Sequence, residues 1–455
     1  DDHIAYCFAN VDGYQRIGSF IGNGSNNGPF IYTGFEPAWV IIKNTNTAYR
    51  WYMLDNKRNP TNPRGSRLFA NDSTAEVTNS DVVDFHTNGF SITTSDAEAN
   101  KSGDKILFWA IAANPDTTAP TEANSFKTKL YTGNNSTQSI TGVGFKPDFV
   151  WFKNRTGTNA HALVDSVRGR ASTIFSDLTH AATSSGTSND LVSFDSDGFT
   201  VGSVSNAGST NTNSGSIVSW LWKGLDHDRN LSAINTDGSI PSIVSANPAA
   251  GFSIVNWSAT TTGSDIIGHG LLAKPQIIIM KNASSSSTNW FVYSDIFDGS
   301  YDFLYLNTTA AKANSSRNVP TATVFDQGNL GGVSAGNNCI TYCFHSVAGY
   351  SKIGTYTGSS STNTINVGFA PSFLMIKRTD STGSWRIYDR ERDSGNLPQR
   401  IDHNLAADSN GAEYDATSGS TGYAWFSSTG FYFDTNQTNS HINANGGTYI
   451  YMTFK

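Results

Sequence analysis

The turn FDSDGF (194–199) sets Asp195 and Asp197 two positions apart, and spaced carboxylates of this kind suit a hard cation such as calcium. The matching turns FHTNGF (85–90) and FSSTGF (426–431) carry His-Thr-Asn and Ser-Ser-Thr where this one has Asp-Ser-Asp, so the turn forms without metal. Asp195 and Asp197 are therefore weak metal candidates, read first as turn residues, and no cofactor is expected. Asp-x-x-Arg recurs as Asp55/Arg58, Asp165/Arg168 and Asp389/Arg392. Its Arg could hold a ligand carboxylate, but the spacing reads more simply as a stitch between a strand end and its turn. Tyr414 and Tyr423 stand in a Gly/Ser-rich stretch (412–425), where exposed rings can stack on the apolar faces of sugars or anchor the loop. Arg386 and Arg390 lie with Arg392 and Arg400 among Asp389, Asp393 and Asp402, a mixed-charge rim that suits a solvated face or a subunit contact. Tyr414, Tyr423, Arg386 and Arg390 are the candidate ligand-binding residues.

No residue is a candidate catalyst. The chain lacks H-E-x-x-H, a phosphate-cradling G-x-x-x-x-G-K-[ST], and a nucleophile elbow between strand and helix. A glycosidase needs two facing carboxyls about 5–9 Å apart; Glu is scarce and no acid recurs in a buried-strand slot. The expectation is a protein that is not an enzyme.

Composition narrows the class further. Charged residues are 15% of the 455, aromatics 12%, and Gly accounts for 42 positions. Ser, Thr, Asn and Gly must then cover much of the surface, and the aromatic content rules out a disordered chain. A net charge of −7 argues against a nucleic-acid surface. No apolar run reaches 18 residues, so no membrane insertion is expected. The start, DDHIAYCFAN, shows no signal-peptide pattern and suggests a piece of a longer polypeptide. Cys7, Cys339 and Cys343 do not form a disulfide framework. The last two stand four apart in a strand-like run, about 13 Å where a disulfide tolerates about 7 Å, and read as small buried hydrophobes.

What must position any site is a repeat. GFEPAWVIIKN (34–44), GFKPDFVWFKN (144–154), LLAKPQIIIMKN (271–282) and GFAPSFLMIKR (368–378) each carry Pro, an apolar run, then Lys six residues after the Pro. Pro tolerates the mouth of a strand, and the uninterrupted apolar run predicts a strand covered on both faces. Each copy adds a Phe-x-x-x-Gly-Phe hairpin, degraded to FDQGNL (325–330) in the third, with Gly expected at φ > 0. Each closes on a long strand: ILFWAIA, IVSWLWK, CITYCFH and YIYMTFK. Trp39, Trp109, Trp151, Trp220 and Trp222 in these strands read as core. HIAYCFANVDGY (3–14) matches CITYCFHSVAGY (339–350), so residues 1–12 read as the last strand of a preceding repeat. The expected fold is all-β: a tandem, elongated array of about four β-sandwich (jelly-roll or concanavalin-like) domains at 13–113, 125–224, 250–347 (divergent) and 348–455. Linkers are expected at 114–124 and 225–249, and the third and fourth domains should abut as a stiff pair.

The segments GYQRIGSFIGNGSNNGPFIYTGFEPAWVIIKN (13–44), GYSKIGTYTGSSS (349–361), GFAPSFLMIKRTDSTGSWRIYDRERD (368–393) and GGTYIYMTFK (446–455) resemble a repeat domain of tail-fibre and tail-associated proteins of marine bacteriophages. GVGFKPDFVWFKNR (142–155), DSVRG (165–169) and LVSFDSDGFTVG (191–202) look like a close variant. The resemblance implies concanavalin- or laminin-G-like sandwiches on a virion appendage, assembled as a homo-oligomer, often a trimer, with other virion proteins as partners. No catalytic residue carries over. The expected function is a virion structural protein that spaces the appendage and attaches to host-surface polysaccharide. The alternatives are a bacterial cell-surface lectin-like adhesin and the non-catalytic part of a polysaccharide depolymerase.

Overall fold

The computed structural model describes residues 8, 10, 13–78, 80–113, 125–183, 190–203, 209–224, 234–260, 265–315, 317–327, 333–393, 395–416 and 422–455. The fold is all-β; among the described residues the one α-helix is the four-residue Ala97–Asn100, started by the Asp96 side chain accepting from the Glu98 N–H. Each Pro-to-Lys run is a strand in the middle of a large antiparallel sheet, next to the long closing strand of its own repeat. Pro37–Asn44 lies between Lys105–Ala112 and Tyr52–Asp55, and Phe149–Asn154 between Ser216–Trp222 and Ala162–Asp165. Ile277–Asn282 lies between Asn338–Phe344 and Phe291–Ser294, and Phe373–Arg378 between Thr448–Phe454 and Arg386–Asp389. The large sheets have five, five, seven and six strands.

A small sheet faces the inner side of each large one. In the first, second and fourth repeats it is built on the Phe-x-x-x-Gly-Phe hairpin, with Phe85 opposite Phe90, Phe194 opposite Phe199 and Phe426 opposite Phe431. The glycine is required for a different reason from the one expected. Only Gly198 has positive φ (+146°). At Gly89, Gly198 and Gly430 a Cβ would stand 2.2, 2.0 and 2.1 Å from a carbonyl oxygen of the adjacent strand (Ile31, Ile140 and Ile365). Close strand approach excludes a side chain there. In the third repeat Val324–Asp326 pairs with Ile266–Gly268, and the second half of its degraded hairpin lies outside the described residues.

Two expectations need correction. The linker 225–249 is in part sheet: Ile234–Asn235 and Ser242–Asn247 extend the third large sheet, Ser242 standing opposite Trp257. Val244 and Ala246 bury their side chains in that repeat's inner core, so its sheet starts before residue 250. Residues 114–124, and all of 1–12 except Phe8 and Asn10, lie outside the described residues.

The second correction concerns arrangement. Repeats two to four are not strung out in a row. The outer faces of their large sheets converge on one shared core that holds Trp151, Trp220 and Trp222, Ile279, Tyr342 and Phe344, and Met375, Met452 and Phe454. Voids in this core are about 10 Å³ each. These outer positions alternate with inner ones that fill each repeat's own core, as the period of two along a strand requires. The tryptophans of the second repeat are therefore buried between repeats and not inside one. The first repeat touches the third from both of its sheets: Tyr32 of the small sheet enters that core, and Arg16, on the edge strand of the large sheet, pairs with Asp237 at 2.7 Å.

Candidate functional site

The fourth repeat carries a surface cleft of about 200 Å³ lined by Arg386, Asn404, Tyr414, Gly422, Asn439 and His441. Three neighbouring strands bring the first three together. In Arg386–Asp389, Arg386 pairs with Ala406; in His403–Ala406, Asn404 pairs with Tyr414 of Tyr414–Asp415. Asn404 and Ala406 are two apart and so share a face, which places Arg386, Asn404 and Tyr414 side by side on the inner face, where the sheet runs out toward solvent. The facing wall is Gly422, Asn439 and His441.

Hydrogen bonds fix that wall. The Gly422 N–H donates to Gln437 Oε1 at 3.0 Å, and Gly422 O accepts from Tyr388 Oη at 2.9 Å and Asn404 Nδ2 at 3.0 Å. Gly422 has φ +117°, and a Cβ on it would meet Asn439 Nδ2 at 3.3 Å and the Tyr414 ring at 3.4 Å. Only glycine keeps the floor open. The His441 N–H donates to Asn439 Oδ1 at 2.9 Å, and His441 Nδ1 accepts from the Ser384 N–H at 2.8 Å. Burial, reinforced by the charges of Arg386, Lys377 and Arg378, holds His441 below its usual pKa. The neutral ring accepts at Nδ1 and so carries its proton on Nε2. Arg386 Nη1 donates to Asn404 Oδ1 at 3.0 Å.

The cleft thus offers one aromatic ring, 42% exposed at Tyr414, two amides, an imidazole N–H and a guanidinium. Among the described residues its lining carries no carboxylate. An aromatic platform beside neutral amide donors and acceptors is chemistry for holding a polyhydroxylated ligand, and the guanidinium adds affinity for an anionic group.

Of the four candidates, Arg386 and Tyr414 line this cleft. Arg390 points away, Nε donating to Gln399 Oε1 at 3.2 Å. Tyr423, expected as a second exposed ring, is buried. The Arg400 guanidinium lies 3.9 Å above its ring, and its hydroxyl donates to Asp434 at 2.8 Å. This is the loop-anchoring alternative. Asn404, Asn439 and His441 were not singled out from sequence. The available signal was length: Arg392 to Phe426 spans 34 positions, against 26 from Arg168 to Phe194 and 27 from Arg58 to Phe85.

Asp195 accepts from Ser193 Oγ at 2.6 Å and Thr200 Oγ1 at 2.7 Å; Asp197 accepts from the Gly142 and Gly144 N–H groups at 3.0 and 2.6 Å. Those backbone bonds hold Asp197 below its usual pKa. The two carboxylates serve separate loops, and no cluster of three metal-ligating side chains occurs among the described residues. Cys339 and Cys343 are buried and unpaired, with burial pushing the Cys339 thiol up to about 12; Cys7 lies outside the described residues.

Asp-x-x-Arg is the same knot three times. Arg Nε meets Asp Oδ2 at 2.5, 2.6 and 2.7 Å for Arg58, Arg168 and Arg392, and the Arg N–H meets Oδ1 at 2.7, 2.7 and 3.1 Å. In repeats two and four the knot is buried and also takes a bond from another repeat: Tyr342 Oη donates to Asp165 at 2.8 Å, and Trp220 Nε1 to Asp389 at 3.0 Å.

A family model described as Domain of unknown function (DUF7483) matches residues 1–115 and 121–455, and the chain belongs to that family. No curated protein matches it.

Proposed function

We propose that this chain is a non-enzymatic structural component of a virion appendage, a tail-fibre or tail-associated protein that spaces the appendage and holds host-surface polysaccharide. On this reading each repeat is a jelly-roll or concanavalin-like β-sandwich domain, and the protein works outside the cell among other virion proteins. The observation that carries attachment is the carboxylate-free cleft of Tyr414, Arg386, Asn404, Asn439 and His441. The resemblance of the repeats to phage tail proteins supports the location.

Calorimetric titration of the full chain with envelope polysaccharides, neutral and uronate-bearing, tests attachment. Saturable binding that falls at least tenfold in Tyr414→Ala is expected. Binding to none of them, or equal binding by the variant, removes the cleft from the function. Immunogold labelling that decorates bacterial envelopes and no phage particle would favour the cell-surface adhesin. Release of reducing sugar by the chain would overturn the non-enzymatic reading.

A further inference from the structure

Three junctions around the shared core are built alike and close a ring. Three equivalent lysines each donate to a main-chain carbonyl of the next repeat: Lys281 to Thr179 O at 2.8 Å, Lys377 to Ala310 O at 2.8 Å, Lys153 to Asn410 O at 3.3 Å. The order is third on second, fourth on third, second on fourth. Trp290 Nε1 donates to Phe175 O and Trp385 Nε1 to Tyr305 O, both at 2.8 Å, in the same order. At the remaining junction His161 takes the tryptophan slot, and Ser176 Oγ donates to Ala407 O at 2.8 Å while Arg155 pairs with Glu413 at 2.6 Å. Head-to-tail contacts of one kind that close after three members make a threefold ring.

The first repeat has the same outer face, and among the described residues no other repeat lies on it. Tyr14, Ile17, Trp51, Leu68 and Leu107 are 37–44% exposed, while their counterparts Tyr350, Ile353, Trp385, Leu405 and Ile450 are 0–3% exposed inside the ring. Phe8 rests on Trp109, ring centroids 4.4 Å apart, and leaves those five open. The donors are present too: Lys43 Nζ turns back to Tyr49 O of its own loop, and Trp109 Nε1 to Gln15 Oε1 at 3.2 Å.

We infer that three copies of this chain associate through the outer faces of their first repeats, forming between chains the ring that repeats two to four form within one. Equivalence assigns the contacts. Trp51 Nε1 donates to Phe69 O of the neighbouring copy, Lys43 Nζ to its Ser73 O, and Trp109 Nε1 to its Asp55, which is already knotted to Arg58. The inference stands on packing alone and does not depend on the virion reading.

Sedimentation velocity and light scattering on the full chain at micromolar concentration test it. The expected mass is three times the 48.9 kDa of one chain. Leu107→Glu and Trp51→Glu, on a face exposed in the single chain, should each give a monomer with unchanged far-ultraviolet dichroism. A wild-type monomer overturns the inference and leaves the face to another occupant, such as further repeats on a longer polypeptide. A dimer, or a trimer that both variants retain, overturns it as well.

Discussion

The first and fourth repeats carry nearly the same outer-face pattern in different surroundings. Trp385 is buried against the third repeat; Trp51, in the same slot, is 38% exposed. The Arg392–Asp389 knot has both side chains at 0% exposure, whereas Arg58 and Asp55 have 25% and 18%. An apolar strand face therefore becomes core or surface according to what docks on it. Identical local chemistry should then have unequal energetic weight in the two places.

The largest expected difference is at the arginines. Arg392→Ala leaves Asp389 buried without its cation, while Glu413 keeps Arg155, and should cost about 3–5 kcal/mol; Arg58→Ala should cost less than about 1 kcal/mol. Equal losses in urea titrations at nanomolar protein would break the comparison. The tryptophans should follow closely: Trp385→Ala costs about 3–5 kcal/mol as a core truncation, and Trp51→Ala stays within about 0.5 kcal/mol in the dilute single chain.

The ring lysines give a pH signature. Burial lowers Lys153, Lys281 and Lys377 from 10.5 to about 8. Above pH 8 the folded chain sheds these protons while the unfolded chain keeps them to about 10.5, so the unfolded state binds more protons at these three and their contribution to stability rises with pH across that window. Buried Cys339 and the buried tyrosines, whose pKa values are raised, pull stability the other way as pH approaches 10. The lysine signature is therefore a difference: between pH 8 and 9 the wild type should gain melting temperature relative to a variant with all three lysines replaced by Met. Gly198→Ala, which sets a methyl against Ile140 O, should cost about 1–3 kcal/mol as a local overpacking. The smallest effect on stability is Tyr414→Ala, within about 0.5 kcal/mol, because its ring rests on a cleft and not in a core.

Strand positions were legible because the Pro-to-Lys runs and closing strands differ so sharply from their Ser/Asn-rich connections. The apolar run in Phe149–Asn154 correctly implied cover on both faces. It could not say that the second cover is another repeat, since hydrophobicity records burial and not the identity of the neighbour. Trp220 and Trp222 read as core and are buried, but the core they fill is the one shared between repeats. Tyr414 stood out as a ring in a Gly/Ser-rich stretch, and Arg386 as part of a mixed-charge rim. Asn404 and Asn439 did not, because amides are the background of this surface, and Tyr423 differs from Tyr414 through partners distant in sequence, Arg400 on its ring and Asp434 on its hydroxyl.

The ring's three lysine bonds and those of Trp290 and Trp385 end on main-chain oxygens: those of Thr179, Ala310, Asn410, Phe175 and Tyr305. Every residue type supplies that oxygen, so substitution at the accepting position cannot delete it. One partner in each of these bonds is thereby free to drift in sequence while the docking geometry persists. Such tolerance lets one module out of three lengthen a loop and open a cleft without loosening its hold on the other two.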